Sequence, residues 1–233
     1  MNYRDYLQKV IYTGINPVIK AMVKMGITPN IVTFIGFIGN LVAAAIFIDA
    51  AWNLGLEGVA SGYTQPAATI NDISYESCME TIGWGGLVIL VSSLFDMMDG
   101  RLARVSGKTS LFGALWDSTL DRYSELVSLF GISLVFIRAD LDGEWFWMGV
   151  VTSTAMVGSV MVSYVRARAE GLNVECKVGL MQRPERVVVT ALAAILTGLT
   201  GNIWWLAGGM ILIAVLANIT AFWRVIHCYR KMK

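Results

Sequence analysis

The sequence predicts an all-α polytopic membrane protein, with six transmembrane helices preceded by an N-terminal amphipathic helix on the membrane surface. Three observations carry that expectation. The 233 residues are 56% hydrophobic with a mean hydropathy of +0.61, above the roughly 45–50% apolar share of ordinary soluble domains. The apolar residues gather into stretches near the about 20 residues that cross a bilayer as a helix. Basic residues collect on alternate connections between those stretches, as expected when one side of the chain faces the cytoplasm.

Taken in order, residues 1–27 read as a juxtamembrane helix. Leu7, Val10, Ile11, Ile15, Val18, Ile19, Met22 and Val23 recur at helical spacing, with Arg4, Lys9, Lys20 and Lys24 for the polar side. Such a helix lies along a membrane surface, and Pro17 is expected to kink or divide it. Residues 28–233 read as a single membrane domain with spans near 31–50, 82–105, 110–137, 144–168, 184–200 and 203–226. Pro184 suits the first turn of the fifth span, and Ile203-Trp204-Trp205 suits an interfacial anchor at the start of the sixth. Residues 51–80 read as a loop rich in Gly, Ala, Ser and Asn, to which no function is assigned.

That loop holds Glu57, Asp72, Glu76 and Glu80 and no basic residue. Arg101, Arg104, Lys108, Arg166, Arg168, Lys177, Arg183, Arg186, Arg224, Arg230, Lys231 and Lys233 fall on the other side. The positive-inside rule then places both termini in the cytoplasm, and six spans satisfy the even count this requires. Met1–Asp5 carry charge without a compact apolar core and small-residue cleavage site, so no cleaved leader is expected. A net charge of +1 gives no reason to expect nucleic acid as a partner. Cys78 is expected outside and Cys176 and Cys228 inside, so three unpaired thiols are expected rather than a disulfide framework.

Function is written in four aspartates inside apolar helices. Asp96-x-x-Asp99-Gly100-x-x-Ala103-Arg104 is followed, after eight residues, by Gly113-x-x-x-Asp117-x-x-x-Asp121. A carboxylate at membrane depth costs about 2.5–3.5 kcal/mol on insertion scales, so four must be offset by something. Asp96 and Asp99 are three apart and Asp117 and Asp121 four apart, so each pair shares a helix face. Ser106-Gly107-Lys108 turns the chain back and lets the faces oppose. Hard oxygen ligands without histidine or cysteine suit Mg²⁺ or Mn²⁺ rather than zinc, and four carboxylates suit two such ions, the count common in phosphoryl chemistry. Gly100, Ala103 and Gly113 keep the surroundings small, and Arg104 offers a planar donor fork for phosphate oxygens.

This pattern resembles the signature of the CDP-alcohol phosphotransferases, and every signature position is filled. The six-helix architecture of that family agrees with the span count. The resemblance implies transfer of the phosphoryl-lipid part of a CDP-linked lipid to an alcohol, with release of CMP. By position it implies that Asp96, Asp99, Asp117 and Asp121 ligate metal and that Asp121 is the catalytic base. It further implies that Pro29, Thr33, Asp99, Gly100, Ala103, Arg104 and Gly113 line the cytidine diphosphate site, and that the enzyme is a homodimer. Pro29-Asn30-Ile31-Val32-Thr33 is the stretch the family places at the start of its first span, although Thr28-Pro29 is also an ordinary helix start.

A second cluster bears on the acceptor. Tyr164-Val165-Arg166-Ala167-Arg168-Ala169-Glu170 ends the fourth span and Arg183-Pro184-Glu185-Arg186 starts the fifth, so four arginines flank one turn. Snorkelling anchors are the plain reading; an anion pocket at a helix N-terminus is the sharper one. Both stretches are similar to the bacterial phosphatidylinositol-phosphate synthases within the family. That likeness implies CDP-diacylglycerol as donor, inositol 1-phosphate as acceptor, and Arg166, Arg168, Arg183 and Arg186 as ligands of the acceptor phosphate. The sub-family often has Lys at the position of Arg166, which keeps the charge and alters the donor geometry. Glycerol 3-phosphate, giving phosphatidylglycerol phosphate, is the competing acceptor. Arg122 and Glu125 are a candidate ion pair on the third span. From another class, a membrane cation transporter also uses intramembrane aspartates, but it expects them near mid-bilayer with repeats or broken helices.

Overall fold

The computed structural model describes residues 3–62, 75–139 and 145–233, with side chains described from residue 14 onward in the first helix and through residue 55 in the second. Seven helices follow one another: α1 Tyr3–Lys24, α2 Pro29–Gly62, α3 Tyr75–Ser106, α4 Leu111–Arg138, α5 Phe146–Glu170, α6 Arg183–Thr200 and α7 Trp204–Met232. No strand occurs among the described residues. α2 (as Pro29–Gly55), α3, α5 and α7 are long and apolar enough to cross a membrane. α4 and α6 occupy the third and fifth expected spans but fall short of that standard. α4 carries Asp117, Asp121, Arg122 and Glu125, and α6 has only 18 residues, with Arg183, Glu185 and Arg186 in its first turn.

Two expectations are corrected. α2 does not end near residue 50 but runs on to Gly62, because Phe47, Ala50, Ala51 and Leu54 continue one buried helical face. The supposed loop at 51–80 therefore opens and closes in helix, and its middle, 63–74, lies outside the described residues. α1 passes through Pro17 as one helix and is not divided.

Contacts group the chain into two compact units, each described by itself: Met1–Gly39 with Val91–Tyr123, and Asn40–Leu90 with Ser124–Lys233. In the first, Ile15, Ile19 and Met22 of α1 pack with Val32 of α2 and with Met98 and Leu102 of α3, so the apolar stripe read at helical spacing does have a protein face to cover. Leu7, Val10 and Ile11 of that stripe lie outside the described side chains. α1 stops at Gly26, whose φ of +73° only glycine adopts without strain. There Ile27 N donates to Met22 O at 3.1 Å, which satisfies a helix-end carbonyl. The same device ends α3, with Gly107 at φ +67° and Lys108 N donating to Ala103 O at 3.1 Å. Ser110 then caps α4, its Oγ accepting from Gly113 N at 2.9 Å.

In the second unit the core is built on close backbone approach. A methyl added to Gly83 would lie 2.8 Å from Gly198 Cα, so α3 and α6 touch main chain to main chain. Fully buried Phe47 of α2 fills the space that Gly85 and Gly131 leave open. Asn202 Oδ1 accepts from Trp204 N at 3.0 Å to start α7, and Thr197 Oγ1 accepts from Leu206 N at 3.1 Å.

Gly83→Leu is expected to lower the Tm of the detergent-solubilised protein, with a destabilisation of at least about 1–3 kcal/mol for overpacking. Gly208→Ala, where nothing stands within 4 Å of a new methyl, should hold or raise it. Equal Tm values for the two variants would contradict the α3–α6 contact.

Candidate active site

The aspartates are placed by the devices just described. The Gly107 turn and the Ser110 cap set the ends of α3 and α4, and all four aspartates lie in the first unit. Asp99 is buried to 4% exposure. It has the Thr33 hydroxyl beside it and Asp96 and Asp117 within electrostatic reach. Its Oδ2 has no hydrogen-bond partner. An orphaned buried carboxylate oxygen is a costly feature in an apolar setting, and with two further carboxylates nearby it is a fit donor for a hard divalent cation.

Gly36 lets α2 approach this group: a Cβ there would meet Asp96 Oδ1 at 3.1 Å. Gly39 does the same at Ser92, whose Oγ would be 2.2 Å from an added methyl. Thr33, buried, donates to Pro29 O at 3.1 Å, which ties two residues expected at the nucleotide to one turn of α2. Gly113 faces Asn30, whose Oδ1 would be 3.3 Å from a new methyl. A methyl on Gly100 would meet only Arg104 Nη2, at 3.9 Å, so that face stays open with a guanidinium at its edge. Asp96, Asp117, Asp121 and Ala103 are half-buried and Arg104 is exposed. Among the described residues, no three acidic, histidine or cysteine groups are drawn around one point. The side chains make pairwise approaches to Asp99 and do not form one closed ligand set.

The four arginines belong to the second unit. Arg166 donates to Glu170 Oε1 at 2.9 Å on the surface, and Arg168 is exposed. Arg183 is half-buried at the start of α6. Arg186 is 1% exposed. Its Nε and Nη2 grip Glu125 Oε1 and Oε2 at 2.5 and 2.8 Å, and its Nη1 donates to Met181 O at 3.0 Å. Glu125 thus pairs with Arg186, while Arg122 donates to the Ser118 carbonyl one turn back on its own helix. A bidentate pair with a further hydrogen bond is the geometry that makes a buried ion pair tolerable.

Sequence reading missed Arg224 as a site candidate and counted it only among the charges of one side. It is 2% exposed and lies within electrostatic reach of Arg166 and Arg186. The signal was available in its spacing: Arg224 continues the inward stripe Ala217, Thr220, Ala221 of α7, where an anchor arginine would have pointed outward.

Residues 26–226 match the family model described as CDP-alcohol phosphatidyltransferase. The chain is 31% identical over 215 residues to the phosphatidylinositol phosphate synthase of Mycobacteroides abscessus, covering 92% of this chain and 83% of that one. It is equally, 31%, identical over 216 residues to the archaetidylinositol phosphate synthase of Pyrococcus horikoshii, covering 92% and 90%. Crystal structures of the Mycobacterium tuberculosis phosphatidylinositol phosphate synthase, 26% identical, superpose with a TM-score of 0.71 for the complex with manganese and citrate (91% of this chain, 88% of that one) and 0.69 for the form with CDP-DAG bound (91% and 92%). With the complete aspartate signature on α3 and α4 and a family match over most of its length, this chain is a member of the CDP-alcohol phosphatidyltransferase family.

Proposed function

We propose that this chain transfers the phosphatidyl group of CDP-diacylglycerol to a hydroxyl of inositol 1-phosphate, giving phosphatidylinositol phosphate and CMP. The observation that carries the acceptor is the pair of equally similar relatives: both make an inositol phosphate lipid, and they differ in the lipid. The archaeal relative favours a second reading of the donor alone, an ether-linked CDP-archaeol. The manganese complex of the mycobacterial synthase supports divalent metal, and we take two ions of Mg²⁺ or Mn²⁺ as the complement of four carboxylates.

In the proposed mechanism Asp96, Asp99, Asp117 and Asp121 hold the metal, the buried Oδ2 of Asp99 being its best-prepared donor. Bound divalent ions neutralise the pyrophosphate and the charge that develops on departing CMP. Pro29, Thr33, Gly100, Ala103, Arg104 and Gly113 shape the cytidine diphosphate site, with Arg104 directed at phosphate oxygens. Asp121 takes the proton of the attacking inositol hydroxyl. That oxygen bonds to the phosphorus carrying the diacylglycerol, and the bond from this phosphorus to the CMP oxygen breaks. Arg166, Arg168, Arg183 and Arg186 receive the acceptor's own phosphate, with Arg224 adding to their field. Arg166 and Arg186 already hold Glu170 and Glu125, so for them the phosphate competes with a carboxylate. Arg168, exposed to solvent, is the readier ligand. We place the protein in a membrane as residues 28–233 with six spans, α4 and α6 included, with α1 along the surface, both termini and the active site cytoplasmic, and two copies forming a homodimer.

Purified protein given radiolabelled CDP-diacylglycerol and a panel of alcohols should form product with inositol 1-phosphate; product from glycerol 3-phosphate alone would overturn the acceptor. Chelation should abolish turnover until Mn²⁺ or Mg²⁺ is returned, with about two ions counted per chain. Asp121→Asn should lower kcat by about 10²–10⁴-fold with metal still bound; retained kcat would remove its role as base. Arg183→Ala should raise the KM for inositol 1-phosphate by about 10-fold or more, the loss of one hydrogen bond between charged groups, and leave the donor KM alone. An unchanged acceptor KM would move the phosphate elsewhere.

A further inference from the structure

The connection between α5 and α6 is stitched along one stripe of α7. Met181 N donates to Thr220 Oγ1 at 3.4 Å, Arg224 Nε to Val178 O at 2.8 Å, and Lys231 Nζ to Glu175 O at 3.0 Å. Arg224 Nη1 also reaches Val162 O of α5 at 2.6 Å. Thr220, Arg224 and Cys228 are four apart and share a face. Within this seam Cys176, from the connection, and Cys228, from α7, are buried together with Ala169, and Val174 and Val178 pack around them. Cys176 Sγ lies 3.9 Å from Arg224 O, the carbonyl to which the Cys228 amide points in an α-helix. The two thiols lie in the same buried cluster, close enough for Cys228 to act on the Cys176 thiol. Burial, and then the neighbouring Cys228, push the Cys176 thiol up, so it rests protonated near neutral pH. Nothing in the transfer chemistry uses either cysteine.

We propose that Cys176 and Cys228 are a redox-reversible staple: a two-electron oxidant, hydrogen peroxide or a small disulfide, joins them in a disulfide that locks the α5–α6 connection to α7 and weakens capture of the phosphorylated acceptor. With peroxide, one sulfur attacks the O–O bond, becomes a sulfenic acid and releases one water. The second thiol displaces the hydroxyl as a second water, and the sulfurs have lost two electrons to the peroxide oxygens. With a small disulfide, two exchange steps give the same bond and release two small thiols. The effect on the acceptor rests on the function proposed above; formation of the disulfide does not. Its sign follows from the seam. Val178 O and Met181 O occupy donors of Arg224 and Arg186, and a connection held fast keeps those donors occupied.

The test uses the full chain in detergent, treated with hydrogen peroxide or diamide, quenched with N-ethylmaleimide and digested without reduction. The expected result is a linked peptide joining Cys176 and Cys228 within one chain. It should be reversed by dithiothreitol, absent in Cys176→Ser and Cys228→Ser, and retained in Cys78→Ser, which removes the third buried thiol. The oxidised protein should show a several-fold higher KM for inositol 1-phosphate and an unchanged donor KM, restored by dithiothreitol, while Cys176→Ser ignores the oxidant. Alkylation of both cysteines with no linked peptide in folded protein would overturn the staple, whatever the acceptor. A linked peptide with unchanged acceptor KM would overturn its effect on capture. Failure of the reduced enzyme to use inositol 1-phosphate would sink the acceptor reading and the effect on capture with it, while the peptide map still decides the staple.

Discussion

Asp99 is enclosed by apolar helices, and one of its carboxylate oxygens is left without a hydrogen bond. In that setting a bare charge costs several kcal/mol, and much of the first unit is arranged around it. The glycines at 36 and 39 let α2 close on α3, and Thr33 brings a hydroxyl to the carboxylate. The turn at Gly107 and the cap at Ser110 return the chain so that Asp117 comes within reach. The cost of that one oxygen is the physical reason for reading a cation into the site.

Helices and turns were legible because their causes are local. Apolar stretches of about 20 residues, and helical spacing for α1, placed most of the helices to within a few residues at most ends, and the Gly107 turn was visible as Ser106-Gly107-Lys108. The end of α2 was misread because composition was weighed over periodicity: small residues around Ala50 and Ala51 look like a loop but continue the face of Phe47 and Leu54. Partnerships between distant segments were not legible. Glu125 was read as the partner of Arg122, three residues away, whereas packing pairs it with Arg186. Arg224 was counted as one more cation of its side although its place on the Ala217, Thr220, Ala221 stripe marked it as inward, and its partners Val178 O and Val162 O were what spacing could not show. For the aspartates, spacing could show which pairs share a face, but not the rotamers that bring Asp99 near Asp96 and Asp117 while drawing no three groups to a single point.

The acceptor arginines show charge used in two ways within one cluster. Arg186 is buried and already engaged, with Nε and Nη2 on Glu125 and Nη1 on Met181 O. Arg168 keeps an exposed side chain and Arg166 a surface partner. The same residue type in the same short stretch therefore carries very different desolvation costs. The cation transporter reading loses its ground once the chain is placed in a transferase family whose signature explains the Gly-Ala-Arg surroundings of the aspartates.

The Arg186–Glu125 pair also bears on how the chain enters a bilayer. α4 and α6, the two expected spans that fall short of an independent apolar span, are the two that supply this pair. Each alone would present an uncompensated charge to hydrocarbon, and together they present a neutral, hydrogen-bonded unit. α4 precedes α6 in the chain with α5 between them, so the acidic member of the pair is made before its basic partner. A helix pair that neutralises its own charge is a property of two non-adjacent segments taken together, and hydropathy taken one helix at a time does not register it.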